Sequence, residues 1–231
     1  MNTIVQPSAA EFALDTIWGR TLDADQRARI NTDVRMRLVK RGHMVCKSGN
    51  RVEYWKGVMS GLVKMSVVSP TGKTSTLTGL AAGAWFGEGP VLRSDTWDFD
   101  GVAMHDTQLS LIPRQTFEWL LRVSPAFNTY VISQLNERLA QFVSIIETER
   151  LETADTRVAR CLAWLFNPVL YPSVGTHLTL SQQEIGYLSG VSRQRVNTAL
   201  RKIAHAGLVR VDYGGIEVLD LQGLQQFRAD A

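Results

Sequence analysis

Between Ser181 and Arg210 the chain carries Arg193, Arg195, Arg201, Lys202 and Arg210 against a single acid, Glu184. Such a run of cations with one counter-charge is an electrostatic footprint for a phosphate backbone, to which Arg195 and Arg201 are assigned. Interleaved with them are Gln194, Asn197 and Thr198. Arg, Gln and Asn can hydrogen-bond base edges bidentately in a major groove, and Thr can bond them singly. Arg193, Gln194, Asn197 and Thr198 are therefore the candidate base-reading set.

The residues around this set read as elements able to hold it. Ser181 is an N-cap, and Glu184 three residues on completes a capping box. Ile185 and Leu188 give that first helix an apolar face. Gly190 sits where a sharp break between two helices is needed. Ser192 caps the second helix, whose Val196, Ala199, Leu200 and Ile203 recur on the inward side while the polar set faces out. After it, Gly214-Gly215 stand between two alternating strands, a two-residue hairpin signal. A hairpin directly behind a helix-turn-helix is what a winged variant requires.

The 231 residues allow one large or two modest domains. Hydrophobic and charged contents of 45% and 20% are ordinary for a globular chain, and a net charge of +3 permits a nucleic-acid partner without demanding one. Cys46 and Cys161 stand far apart with no ligand-like spacing to the histidines, so neither a disulfide framework nor a metal site is expected. The N-terminus has no signal-peptide pattern and no apolar run approaches a membrane span, which reads as a cytoplasmic chain with no membrane partner. No G-x-S-x-G, H-E-x-x-H or phosphate-binding glycine loop is present, and no enzymatic activity is expected.

Upstream, Glu11 to Leu38 has a mostly helical pattern, with Asp23 as a cap for the helix behind it. From Val39 to Pro113 short alternating strands are punctuated at Lys40–Gly42, Ser48–Asn50, Ser60–Gly61, Ser69–Gly72, Ala81–Gly83 and Gly87–Pro90, which argues for a β-barrel or sandwich. Pro125 suits the first turn of a long helix running past Leu151. Along it Ile132, Leu135, Leu139, Phe142 and Ile146 recur in alternating steps of three and four, a seam suited to a second copy of the chain. Thr153 to Asp155 breaks the pattern and caps a further helix ending before Pro168.

An N-terminal helix, a glycine-punctuated β-roll, a long dimer helix and a winged helix-turn-helix occur in this order in one family. The chain resembles the CRP/FNR superfamily of bacterial transcription regulators over nearly its whole length. The resemblance is carried by Gly49-Asn50 (commonly Gly-Asp in the family), Gly61-Leu-Val-Lys64, Pro70-Thr-Gly-Lys73, Gly83, Phe86-Gly-Glu88, Ser181-Gln-Gln-Glu-Ile-Gly186 and Val191-Ser-Arg193. It implies an α+β chain of two domains: a double-stranded β-helix sensor (a cupin-like jelly roll, cyclic-nucleotide-binding-like) over 1–123, a dimerisation helix over 124–152, and a winged helix-turn-helix over 153–231. It further implies a homodimer on a palindromic operator in double-stranded DNA, with half-sites about one helical turn, ~34 Å, apart, and RNA polymerase as a partner. Arg193 matches the residue that donates to guanine. Gln194 stands where Glu is common and would prefer adenine, so the half-site should differ, and Thr198 stands where Arg is common. Ser181, Gln183 and Ser192 match positions that hold phosphate, and their hydroxyls can also serve as plain helix caps.

The sensor departs from the cyclic-AMP-binding branch. There a Gly-Glu pair contacts the ribose, an Arg-Ser pair the cyclic phosphate and a Thr-Ser pair the adenine. Gly87-Glu88 is kept, but Asp98 and Phe99 stand in place of Arg-Ser, and Phe142 and Val143 in place of Thr-Ser. A carboxylate beside a phosphodiester repels it. The pair Arg93-Ser94 comes too soon after Glu88 to serve. Cyclic AMP is therefore disfavoured, and neither an iron–sulfur cluster nor haem is expected, since the N-terminus lacks clustered cysteines and His43 and His105 are isolated. No cofactor is identified. The effector pocket is expected at Gly87, Glu88, Trp97, Phe99, Phe142 and Val143. Together with Tyr54, Trp55, Trp85 and Phe86, its rings would wall a small planar or aromatic metabolite or would simply fill the roll. Two further readings stand open: a DNA binder competent without any ligand, and a ligand-binding module whose helix-turn-helix contacts protein.

Overall fold

The computed structural model describes residues 8–93, 95–212 and 214–229; Ser94, half of the Arg93-Ser94 pair, lies outside them. Helix α1 (Ala9–Leu14) is closed by a Ser8–Glu11 capping box, and α2 (Ala24–Asp33) by one between Asp23 and Gln26. The helical expectation to Leu38 fails after Asp33, because Arg35–Val39 is strand β1 and pairs antiparallel with β8 (Thr107–Pro113) along its whole length. It is an edge strand on which Arg35 to Leu38 are all exposed, Met36 and Leu38 included, and only Val39 is buried.

The remaining roll strands are β2 (Met44–Cys46), β3 (Tyr54–Ser60), β4 (Leu62–Val68), β5 (Thr74–Ala81), β6 (Trp85–Phe86) and β7 (Asp100–Ala103). They form two antiparallel four-stranded sheets, ordered β1-β8-β3-β6 and β2-β7-β4-β5. The β4–β5 hairpin turns where Pro70-Thr71-Gly72 predicts: the Gly72 N–H donates to the Ser69 carbonyl, and the Ser69 hydroxyl accepts from the Lys73 N–H. At Gly87–Pro90 the expected turn is instead the start of helix α3 (Glu88–Arg93). Helix α4 (Arg114–Val123), which the punctuation pattern does not reveal, follows the roll.

Strand β3 is buried on both sides and organises the core. On one side Trp55 meets Trp18, Trp85, Phe117 and Phe127 at ring-centroid distances from 4.2 to 5.6 Å. Gly57 lets Trp85 lie across the strand, since a Cβ there would come within 2.7 Å of the indole. Rings from α1, β3, β6, α4 and α5 (Pro125–Leu151) thus fuse the N-terminal segment, the roll and the long helix into one apolar body.

Helix α5 is capped by Ser124 and carries Pro125 at its start. Its buried residues are Phe127 and Val131 at one end and then Gln134, Arg138, Gln141 and Thr148, while Ile132, Leu139, Val143 and Ile146 are half or more exposed. Leu135 and Phe142 are partly buried against the core. Over its second half the helix therefore shows its own chain a polar face and leaves an apolar one uncovered.

Thr153 caps α6 (Ala154–Leu165), with its hydroxyl accepting from the Thr156 N–H. Next come β9 (His177–Leu178), α7 (Gln182–Ser189), α8 (Arg193–His205), β10 (Val209–Asp212), β11 (Gly215–Val218) and α9 (Leu221–Gln226), the strands forming a small sheet β10-β11-β9. The hairpin register differs by one residue from the expected Gly214-Gly215 turn: Gly215 pairs with Asp212 and belongs to the strand, and Gly214 is in the turn with φ of 92°. Among the described residues no helix is long and apolar enough to cross a membrane.

Candidate nucleic-acid interface

The geometry of α7 and α8 follows from their caps. The Ser181 hydroxyl accepts from the Glu184 N–H at 3.2 Å, and the Glu184 carboxylate accepts from the Ser181 N–H at 2.8 Å. Gly190 ends α7 in the left-handed conformation at φ 64°, where a side chain would meet the Arg157 guanidinium. At Gly186 a Cβ would stand 2.7 Å from the Val191 carbonyl, so the close turn between the helices needs glycine there as well. The Ser192 hydroxyl then accepts from the Arg195 N–H at 3.4 Å and starts α8.

Val196, Ala199, Leu200 and Ile203 are buried on the inner side of α8. Arg193, Gln194, Arg195, Thr198 and Arg201 are exposed, and Asn197 is half-buried. The structure thus brings all four candidate base readers onto one helix with three of them free to solvent. Two qualifications concern individual side chains. The Thr198 hydroxyl donates back to the Gln194 carbonyl at 3.3 Å. Arg195 lies 3.8 Å from the buried carboxylate of Asp155, which also binds Lys202, so both cations are tied to the start of α6. In the sequence Asp155 is marked only as part of the break before α6; its role as an anchor for α8 has no local signal. Ser181 and Gln183 are exposed at the start of α7, the Gln183 amide donating to the Tyr187 hydroxyl at 2.7 Å. In the wing, Arg210 is paired with its cross-strand neighbour Glu217 at 2.7 Å.

This reading unit is docked on the roll of its own chain through α6 and α7. Gly79 of β5 faces Leu165 and Leu188, with a Cβ position only 2.9 Å from the first. His105 in the β7–β8 turn contacts Glu184 at 3.0 Å. Burial pushes the Glu184 carboxyl up, but hydrogen bonds from Ser181 and the nearby His105 outweigh it and hold its pKa below the ordinary value. A buried polar node ties in the long helix: Arg138 donates to the Gln141 amide oxygen at 2.8 Å and to the Tyr171 hydroxyl at 2.9 Å. That hydroxyl in turn donates to the Gly79 carbonyl at 2.8 Å.

At the candidate effector pocket, Gly87, Glu88, Trp97 and Phe99 come together. A Cβ on Gly87 would stand 2.6 Å from the Trp97 ring, and Trp97 meets Phe99 at 5.4 Å and Phe86 at 5.9 Å. Glu88 is buried with its Oε2 unpartnered, and burial raises its pKa against the opposing charge of Arg138. Asp98 is paired with Arg93. Phe142 packs on the core, whereas Val143 lies on the exposed side of α5 with Leu139 and Ile146 and is not gathered with Glu88. Of the other aromatic candidates, Trp55 and Trp85 pack into the core with Trp18, Phe117 and Phe127, which the sequence pattern does not single out. Trp97 also lines an open cavity of about 310 Å³ with Lys56, Cys46 and Tyr54, which neither Gly87, Glu88 nor Phe142 borders. Among the described residues no group of three or more His, Cys, Asp or Glu is placed to hold a metal ion.

Comparison with known proteins matches the two halves separately. A family profile described as a cyclic nucleotide-binding domain matches residues 36–124, and one described as a Crp-like helix-turn-helix domain matches residues 156–227. The cyclic AMP receptor protein of Thermus thermophilus is 28% identical over 190 residues, covering 82% of this chain and 86% of that protein. A CRP-like cAMP-activated global transcriptional regulator of Mycobacterium tuberculosis is 25% identical over 188 residues, covering 80% and 84%. The crystal structure of FixK2 from Bradyrhizobium japonicum shares the fold with a TM-score of 0.68 at 19% identity, over 86% of this chain and 98% of that one.

Proposed function

The chain belongs to the CRP/FNR superfamily of transcription regulators, and from that membership we propose a homodimer that binds an inverted-repeat operator through α8 and is controlled through its β-roll. DNA-binding transcription regulation is the activity of its relatives, and its helix-turn-helix is of their kind. The observation that carries the finer reading is the doubly capped α7–Gly190–α8 unit presenting Arg193, Gln194, Asn197 and Thr198 on one helix. Arg193 donates to guanine and Gln194 to adenine, while Arg201, Ser181, Gln183 and Ser192 hold phosphate. Arg195 joins them when it leaves Asp155.

The uncovered apolar side of α5 supports dimerisation through Ile132, Leu139 and Ile146, with Leu135 and Phe142 at its border. The chain divides into a sensor over 1–123, the dimer helix over 124–152 and the reading head over 153–231. RNA polymerase is the partner through which such a head affects transcription. Cyclic AMP is disfavoured as that effector: Asp98 is a carboxylate where a phosphate-binding cation is needed, and the Trp97 ring already lies against Gly87. The docking of α6 and α7 on β5 and the Arg138–Tyr171 node link roll, dimer helix and head, so a change in one biases the placement of the others.

Selection of binding sites from random duplex DNA with the purified full-length protein tests this reading. A palindrome with half-sites about one helical turn apart is expected. No enriched sequence, either with the protein alone or with a small-molecule extract added, would refute it.

A further inference from the structure

We infer that the cavity around Lys56, at the side of the roll bounded by Trp97, is a binding site for a small aromatic carboxylate. The inference deepens the reading that the roll takes an effector, and rests on it. Lys56 is 6% exposed in the middle of β3, between β6 and β8, where an aliphatic residue would complete the core. Its ammonium makes no hydrogen bond or ion pair among the described residues. It is held only by aromatic faces, at 5.2 Å from the centre of the Trp97 ring and 5.5 Å from that of Tyr54. Such faces attract a cation but do not replace a counter-ion once water is excluded.

The surroundings add positive charge instead of neutralising it. Arg37, Lys47 and Arg51 line the same cavity, and Glu53 is its one acid. Cys46, also in its lining, is a neutral thiol, pushed up to about 12 by burial, and Asp100 beside it accepts from the Ser48 N–H. Burial brings Lys56 down to about 8, with Arg37 lowering it further and Glu53 raising it, so at neutral pH it is still mostly a cation. With Lys56, Arg37, Lys47 and Arg51 against the single carboxylate of Glu53, the pocket keeps an excess of positive charge that selects a negatively charged guest. The flat walls of Tyr54 and Trp97 and the apolar Val45 and Leu111 favour a ring behind that charge. A volume of about 310 Å³ takes one ring with a short acidic arm. A carboxylate on the Lys56 ammonium would then place the ring against Trp97. Trp97 is the side chain that touches Gly87, next to Glu88, which faces Arg138 of the dimer helix. This cavity shares the Trp97 indole with the Gly87 side of the roll, but neither Gly87, Glu88 nor Phe142 lines it, and it uses none of the residues by which cyclic nucleotides are expected to be held.

The test is calorimetric titration of the full-length protein at neutral pH with phenylacetate, benzyl alcohol and inorganic phosphate as probes. Phenylacetate is expected to bind saturably and to raise the melting temperature. Benzyl alcohol, which has the ring without the charge, and phosphate, which has the charge without the ring, should each bind at least roughly tenfold more weakly. Lys56→Met should cost phenylacetate at least about tenfold and abolish its effect on the melting temperature, while the variant's own cooperative melt shows that it folds. Arg51→Ala, at the exposed rim, provides a second variant that should weaken the same probe without touching the core. The inference is overturned by no saturable phenylacetate signal up to about 10 mM, by equal affinity in Lys56→Met, or by binding of phosphate alone. A palindrome recovered from random DNA by the wild-type protein alongside any of these outcomes would fail the ligand site and leave the regulator reading standing. Saturable phenylacetate binding with no DNA selected would do the reverse.

Discussion

Replacing Lys56 by Met should stabilise the unliganded protein, and by an amount that depends on pH in a definite direction. Burial holds the folded-state lysine at about 8 instead of 10.5. That difference corresponds to roughly 3 kcal/mol by which the fold disfavours the ammonium when it is fully protonated. Methionine keeps most of the stem's contacts with Tyr54 and Trp97 and removes the charge. Between pH 8 and 10.5 the unfolded chain still binds the lysine proton while the folded chain has released it, so wild-type stability gains a rising contribution through this window. Cys46 and Cys161 act in the opposite sense. Both are held at about 12 against an ordinary 9.0, so between those values the folded state keeps protons that the unfolded state has lost, and stability falls. The thiols are present in both proteins and largely cancel in the comparison, apart from the coupling of Cys46 to Lys56.

The observable is therefore the difference between variant and wild type in urea denaturation at fixed protein concentration, at several values from pH 7 to 10. Lys56→Met should be the more stable by up to about 3 kcal/mol at pH 7, and the gap should close as pH approaches 10.5. A variant no more stable than wild type at pH 7, or a gap that does not change with pH, would show that the ammonium is hydrated or paired in solution and refute the argument.

Four other substitutions probe the uncovered stripe of α5, the buried polar node and the reading helix. Leu139→Glu places a charge in the uncovered apolar stripe of α5; sedimentation should show a dimer for the wild type and a monomer for the variant, since each large side chain withdrawn from such a seam costs about 1.5–3 kcal/mol, and an unchanged dimer would exclude the seam. Tyr171→Phe removes the hydroxyl that accepts from Arg138 and Gln141 and donates to Gly79; with buried donors left unsatisfied, chemical denaturation should register a loss of about 1–3 kcal/mol, and an unaltered midpoint would mean water already serves them. On a selected operator, Arg193→Ala should reduce discrimination at one base pair by roughly 1–3 kcal/mol. Arg201→Ala should instead weaken all sequences alike and flatten the salt dependence by about 0.9 in log–log slope, so the reverse pattern in competition binding would exchange their roles.

What was legible in the sequence is what local chemistry decides. Caps act within a turn of helix, so Asp23, Thr153, Ser181 with Glu184, and Ser192 announce helices wherever the rest of the chain lies. The i, i+3, i+4 spacing of Val196, Ala199, Leu200 and Ile203 decides which side of α8 is inward, and with it the outward polar set. Departures from the cyclic-AMP-binding pattern at Asp98, Phe99, Phe142 and Val143 are likewise a matter of residue identity. Only the tertiary structure decided which alternating face of β3 is which. Strand period separates Trp55 from Lys56 but does not say that the indole joins Trp18, Phe117 and Phe127 while the ammonium enters the roll. The tie from Asp155 to Lys202, the seat that Gly57 offers Trp85, and the node of Arg138, Tyr171 and Gly79 also join residues tens of positions apart. Such contacts leave no periodic trace, because nothing but the packing of separate elements brings their partners together.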